Sequence, residues 1–515
     1  MQFRFTSFTA VSLAAGMAAA APAGAQDHPA PPPGSVDFRA SCAPPARAEL
    51  DRAIALLHHM TYPRARESFE KAGALDARCA MAHWGVAMTL FQPLWPTRPG
   101  PADLRRGWTE VETARRLGPG TERERALVEA AAAFFADPDS SDYWRRIRRW
   151  EQAMERAYSA FPDDADIAAL YAMAHLAVAP SDSVTSSHAD SAAAVLHAVL
   201  ERHPDHPGAM HYLVHANDTP GREQDSPEVV RGYSATAPRN PHALHMPTHV
   251  YTRQGDWDAV IRGNLLAAEA ALAQPAGDRG QYVWDEFPHA IEYLVYAYLQ
   301  QGADTEAKAQ LERLERTPNL QPSFKTAFHL ASIRARYALE RHAWSEAMAL
   351  VPREPASLDW DRFTWPEAVT WFARGLGSAR VGKLDEARAA AARLDSLEVT
   401  AGKSGERLFA RNIHVLRLGV GAWIAQAGGD GKRGEALLRE AAELELATPK
   451  HAVTPGPTLP AEEQLGDLML EQHRPALALT AYRRSLELYP GRRNSARGAA
   501  QAAQQAARAA PKEGR

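Results

Sequence analysis

Pro204-Asp-His-Pro207-Gly-Ala209-Met-His211-Tyr-Leu-Val-His215 and Pro238-Arg-Asn-Pro241-His-Ala243-Leu-His245-Met-Pro-Thr-His249 carry one pattern, Pro-x-x-Pro-x-Ala-x-His-x-x-x-His. The copies are 34 residues apart, counted from His211 to His245 or from His215 to His249. That spacing is the length of a helix–turn–helix unit of the kind that stacks in arrays. Within each copy the two histidines stand at i and i+4, on one face of a helix. Stacking in phase therefore sets two histidine pairs side by side.

Outward from this duplication, almost every segment alternates amphipathic helical periodicity with a short break. Ala, Leu, Glu and Arg dominate, and period-two β-branched runs are missing. Segments 47–73 and 80–117 read as the opening repeats, and 140–160, 164–177 and 191–202 as the helices leading to the histidines. About twenty helices are expected from the repeat size. Near the end, Leu465-Gly466, Ala476, Ala481-Tyr482, Leu486 and Pro490 stand where a close helix contact, a second-helix core and a terminal proline are needed. Gly255-Asp256-Trp257 with Ala267, Gly302 with Ala307, and Gly382 with Ala387 repeat parts of that signature.

These positions resemble the tetratricopeptide repeat (TPR) family. The resemblance implies an all-α, right-handed superhelical solenoid of TPR-like helix–turn–helix repeats. A narrower likeness is to a group of exported bacterial TPR proteins. It rests on Cys79-Ala-Met-Ala-His83-Trp84-Gly85, on His211-Tyr-Leu-Val-His215, on His245-Met-Pro-Thr-His249 with Tyr251, and on the proline-rich run Pro455 to Gly466. That group implies export and a solenoid; it supplies no reaction.

Residues 1–25 read as a signal peptide: Arg4, an apolar run from Phe8 to Ala21, and Ala23-Gly24-Ala25 before Gln26. The mature chain is thus expected to be periplasmic or secreted, with no transmembrane segment after cleavage. Residues 26–46 form a Pro/Gly-rich leader, 47–205 the N-terminal repeats, 206–318 the histidine-bearing repeats, and 319–510 the C-terminal repeats with a capping helix that frays into Pro511–Arg515. Removing residues 1–25 takes away Arg4 and leaves 57 basic against 62 acidic residues, a formal balance of −5. An acidic balance without a basic patch argues against nucleic acid as partner. Cys42 and Cys79 are the two cysteines of the chain. In an oxidising compartment an even count permits one disulfide, with two separate thiols as the alternative.

Two loops stand out: Gln92 to Pro101, with four prolines and Trp95, and the insertion Pro275–Trp284. Each reads either as a binding loop or as a spacer with a surface-packed tryptophan.

Taking Pro241 as place one of its helix, His242, His245 and His249 occupy places two, five and nine, a single stripe. In the preceding repeat these places hold Gly208, His211 and His215, with Asp218 just beyond. In the following one, counted from Pro288, they hold His289, Glu292 and Tyr296. In the TPR family these places line the concave groove. Neutral imidazole is the common ligand of zinc, copper and iron, and i,i+4 pairs on a rigid helix fix two ligands together. The expected metal ligands are His211, His215, His242, His245 and His249. Asp218, His289, Glu292, Tyr296 and His83 are further groove candidates, with carboxylates acting as ligands or as ring-orienting acceptors. His58 and His59, closing the first helix, are assigned no chemistry. Pro247 predicts a kink in its helix. The competing readings are a polar groove that grips a protein or peptide, the usual work of such repeats, and a purely structural histidine cluster. Whether a bound metal would perform chemistry is open. A non-metal hydrolase is the weakest option, since no Gly-x-Ser-x-Gly or phosphate-binding glycine loop occurs.

Overall fold

Both histidine helices begin with the same local device. The Nδ1 of His206 accepts the Ala209 N–H at 3.1 Å, and the side chain of Asn240 accepts the Ala243 N–H at 3.1 Å. Pro207 and Pro241 follow as the first helical residues, where a missing N–H costs no helical hydrogen bond. The duplicated Pro-x-Ala is therefore the start of a helix written twice. In the computed structural model, which describes residues 36–509 except 96, 141, 182–184 and 278, these helices run Pro207–Asn217 and Pro241–His245. The latter continues as Pro247–Gln254, with Met246 between them in right-handed helical geometry. The ladder tightens at the proline: Met246 N–H reaches the His242 carbonyl at 2.9 Å, and His249 N–H the Met246 carbonyl at 3.1 Å. This is a helix bent at Pro247. The segments read as signal peptide (1–25) and frayed tail (511–515) lie outside the described residues.

The chain is an all-α array of helix–turn–helix units, with twenty-four helices among the described residues. No helix among them is long and apolar enough to cross a membrane. Small residues set the helix spacing. A Cβ on Gly85 would lie 2.1 Å from the Phe69 ring, and one on Gly466 2.6 Å from Tyr482. Gly208 likewise lets His58 pass, since a Cβ there would fall 2.4 Å from its Nδ1.

One hydrophobic core runs from Phe38 to Ala216 and a second from Leu244 to Ala502. The histidine helices lie where these meet, around a small cluster that includes Val214, Tyr233, Met246 and Val250. Cys42 and Cys79 are joined in a disulfide, with Cα atoms 4.9 Å apart. The bond ties the start of the first repeat to the start of the second.

Both unusual loops serve this junction. Trp95 is buried rather than surface-packed. Its ring meets those of His242 and His289 edge-on at 5.1 and 6.0 Å, and Lys325 Nζ lies 3.9 Å above it. In the insertion, Pro275–Ala276 pairs antiparallel with Tyr282–Val283, and Val283 bridges to the Leu320 segment. That ribbon delivers Asp285 and Glu286 to the histidines.

Candidate metal centre

Seven imidazoles meet from four stretches of helix, Pro207–Asn217, the bent Pro241–His245 and Pro247–Gln254, Glu286–Gln301, and Phe324–Glu340. His211, His215 and His242 form one group whose ligand atoms lie within 4.8 Å of one another, and His245, His249 and His289 form a second. His211 Nε2 is 3.1 Å from His215 Nε2 and 3.0 Å from His242 Nε2; His245 Nε2 is 2.8 Å from His249 Nε2. The groups adjoin, with the His215 and His249 rings 6.3 Å apart and those of His242 and His245 6.4 Å apart. The seventh ring, His329, stands behind His289 at 3.0 Å.

The protons on these rings follow from their other nitrogens. His211 Nδ1 donates to the His58 carbonyl at 2.5 Å. His249 Nδ1 donates to Asp218 at 2.8 Å, and His242 Nδ1 faces Glu286 at 3.4 Å. His245 Nδ1 donates to the Asn264 side-chain oxygen at 2.6 Å. The orientation of that amide is set, because its nitrogen donates to the Val260 carbonyl and to Thr248. A carbonyl, an amide oxygen and an ionised carboxylate can only accept, so each of these rings carries its proton on Nδ1. The Nε2 lone pairs of His211 and His242 then face each other, as do those of His245 and His249. A proton shared within each pair would need an imidazolium. Burial, followed by neighbouring rings, holds His211 and His245 well below the usual histidine range. His249, desolvated by burial against the pull of Asp218, is lowered to about 4. Lone pairs set against one another in a buried setting repel, and a hydrogen-bond donor or a cation between them removes the conflict.

His289 gives the same answer by a longer route. Glu292 accepts from His329 Nδ1 at 2.5 Å, so His329 Nε2 is a lone pair and accepts from His289 Nδ1. That leaves His289 Nε2 unprotonated, buried and without a hydrogen-bond partner. Such an orphan costs about 1–3 kcal/mol unless something binds it. Burial, then His245 and His329, holds this ring too well below its ordinary pKa. Tyr293 completes the wall, its hydroxyl 3.3 Å from His249 Nε2.

A third group, His58, Asp166 and His206, fails the same test. His206 Nδ1 accepts from the Ala209 amide, so its Nε2 carries the proton and turns it toward Asp166 at 3.3 Å. His58 Nε2 faces the same carboxylate oxygen at 3.3 Å, and Arg123 reaches the other oxygen at 3.3 Å. His58 and Arg123 hydrogen-bond this carboxylate, while His206 Nε2 lies within ion-pair distance of it without a hydrogen bond; the carboxylate thus anchors the helix whose His58 carbonyl orients His211.

The structure rearranges several expectations. His211, His242, His245, His249 and His289 are at most 1% exposed, so they line no open groove; only His215 is partly exposed. It borders a cavity of about 150 Å³ together with Trp95, Trp144, Phe409 and Lys450. Tyr296 points elsewhere, to Arg492 at 3.1 Å and Trp257, and Tyr293 takes the place beside the rings. His83 pairs with Glu110 at 2.7 Å, apart from the cluster. Asp218 is saturated by Arg253 and Lys450, each at 2.6 Å, and by His249, so it orients a ring. Glu292 does the same for His329 while meeting Ser332 and Arg336. Sequence reasoning missed His329, Glu286, Asn264 and the His58 carbonyl. Tyr293 was missed as well, and for it a signal existed: His289 and Tyr293 form a third i,i+4 pair, each 44 residues after its counterpart in His245 and His249.

No family model matches the chain, and no curated protein does. Among solved structures, the human IFIT1 dimer with PPP-AAAA aligns at 13% identity over 91% of each chain, with a TM-score of 0.40. The APC/C hetero-tetramer Cut9–Hcn1 aligns at 12% identity, over 89% of this chain and 76% of that one, with a TM-score of 0.37. Yeast Tom70 aligns at 11% identity, over 90% of this chain and 96% of its own, with a TM-score of 0.33. Likenesses at these scores carry no argument about ligand or partner.

Proposed function

We propose that this chain is an exported repeat protein whose paired-histidine helices hold transition-metal ions. Zinc, copper and iron are the candidates, on the chemistry of an all-imidazole donor set. The supporting observation is the buried meeting of Nε2 lone pairs, with the Nδ1 atoms of His211, His242, His245 and His249 engaged by acceptors. That division of labour between the two nitrogens is how metal-bound histidine is held. The rival reading, a scaffold whose groove grips a peptide, needs imidazoles that a peptide can touch. Five of the six are closed to solvent, which favours the metal.

The site would draw on the fold in a simple way. Rigid helices fix each i,i+4 pair, the acceptors fix the tautomers, and Trp95 with Tyr293 keeps water from the rings. Elemental analysis of full-length protein purified without an affinity tag, before and after chelation, tests the proposal. Stoichiometric metal is expected, and it should be largely lost in a His211→Ala/His245→Ala variant. Wild-type protein without stoichiometric metal would overturn the proposal. So would unchanged metal in the folded variant.

A further inference from the structure

The lone-pair conflict occurs twice, in separate places. One lies between His211 and His242, the other between His245 and His249. Each conflict has its own third nitrogen: His215 Nε2 at 3.1 Å from His211 Nε2, and the unpartnered Nε2 of His289 beside His245, the two rings 4.2 Å apart. Imidazole nitrogens bound to one ion at about 2.0–2.1 Å lie roughly 3 Å apart, as His211 does from His242 and His215, and His245 from His249, and all ligand atoms of each group fall within 4.8 Å. One ion resolves one conflict and leaves the other standing.

Charge adds a second constraint. Every carboxylate beside the rings is already matched to a cation. Asp218 has Arg253 and Lys450, Glu286 and Asp285 share Lys325 at 2.6 and 3.4 Å, and Glu292 has Arg336 at 3.5 Å, so four carboxylates face four cations. No carboxylate is left to offset a metal. Two divalent ions would place four uncompensated positive charges in a dry interior, a large desolvation cost.

Resting on the metal reading above, we infer that the cluster is a two-ion centre, one ion per histidine triad, and that in divalent form the ions share a small anionic ligand. The anion class is that of hydroxide or azide: compact, singly charged and able to reach both ions. The two triads meet at the His215–His249 and His242–His245 faces. The neighbouring cavity at His215 offers the approach.

Chelator-stripped full-length protein titrated with Cu(II), followed by quantitative electron paramagnetic resonance, tests this. Two equivalents of Cu(II) per chain are expected to bind tightly. The integrated signal should fall well below that of two isolated ions as the second site fills. Azide should then bind once per pair, with a new charge-transfer band. One tight equivalent per chain would overturn the two-ion inference while leaving the metal reading intact; none would overturn both. Two ions with full, uncoupled signal and no azide response would overturn the shared anion. His215→Gln and His289→Gln, each aimed at one triad, should each bind one equivalent while circular dichroism shows retained helix. If either folded variant kept both equivalents, the one-ion-per-triad assignment would fall. The stoichiometry and coupling of the unaltered protein decide the question even if a variant does not fold.

Discussion

Asn264 is a buried polar residue whose sequence setting, on a helix of small and aliphatic residues, gives no hint of chemistry. Its side-chain oxygen nonetheless decides which nitrogen of His245 is free. Asn264→Leu removes the acceptor while keeping similar bulk, and the ring can then place its proton on Nε2. Metal affinity is expected to drop about 10–100-fold, the usual effect of losing such a partner. Competition with a chromophoric chelator measures it, and unchanged affinity would contradict the tautomer assignment. At this scale the sequence was half legible. The ligands could be read from their duplication, because i,i+4 spacing is a local property. The acceptors could not, because the His58 carbonyl is a backbone group 153 residues from His211, and Glu286 is 44 residues from His242.

Helix pairs are spaced by glycines whose behaviour reverses the ordinary rule. In a helix interior Gly→Ala usually stabilises by about 0.5–1 kcal/mol. At Gly85 the added methyl would overlap the Phe69 ring, so Gly85→Ala is expected to cost about 1–3 kcal/mol through overpacking. Gly402, also helical, has nothing within 4 Å of its would-be Cβ, and Gly402→Ala should show the ordinary gain. Urea midpoints of the two variants should move in opposite directions. Movement of both the same way would refute the packing account. The helices and their turns were legible from periodicity and punctuation. The third histidine helix was not placed correctly, because its register was counted from Pro288. The insertion Pro275–Trp284 is ten residues long, and it accounts for the step from 34 to 44 when the histidines themselves are aligned. Counting from the proline therefore put Tyr296 where Tyr293 stands.

For the molecule as a whole, burying so many neutral imidazoles makes stability depend on acidity. Burial, the first cause in each case, lowers His249 to about 4 and His451 to about 3 from 6.5, and lowers His58, His211, His215, His245 and His289 as well. Below pH 6.5 the unfolded chain binds protons that the folded chain refuses, so stability falls as the pH drops toward 4. Each group refusing a full proton contributes about 1.4 kcal/mol per pH unit. Glu445 and Asp467, raised to about 7 by burial, work the other way: their contribution is present at low pH and fades as the pH rises through 7. The histidines outnumber them, so the metal-free protein should lose more than about 1 kcal/mol per unit between pH 6.5 and 5. Urea unfolding at pH 7.5, 6.5 and 5 measures this, and a flat profile would refute it.

The hydrogen bond from His211 to the His58 carbonyl makes the opening helix part of the centre although it contributes no ligand. A chain lacking residues 44–58 would lose that acceptor together with the buried Leu50, Ile54 and Leu57. His211 would then be free to put its proton on the inner nitrogen, where the proposed ion would sit. The N-terminal helix therefore works as a template for proton placement, settling through one backbone carbonyl which nitrogen of His211 faces inward bare.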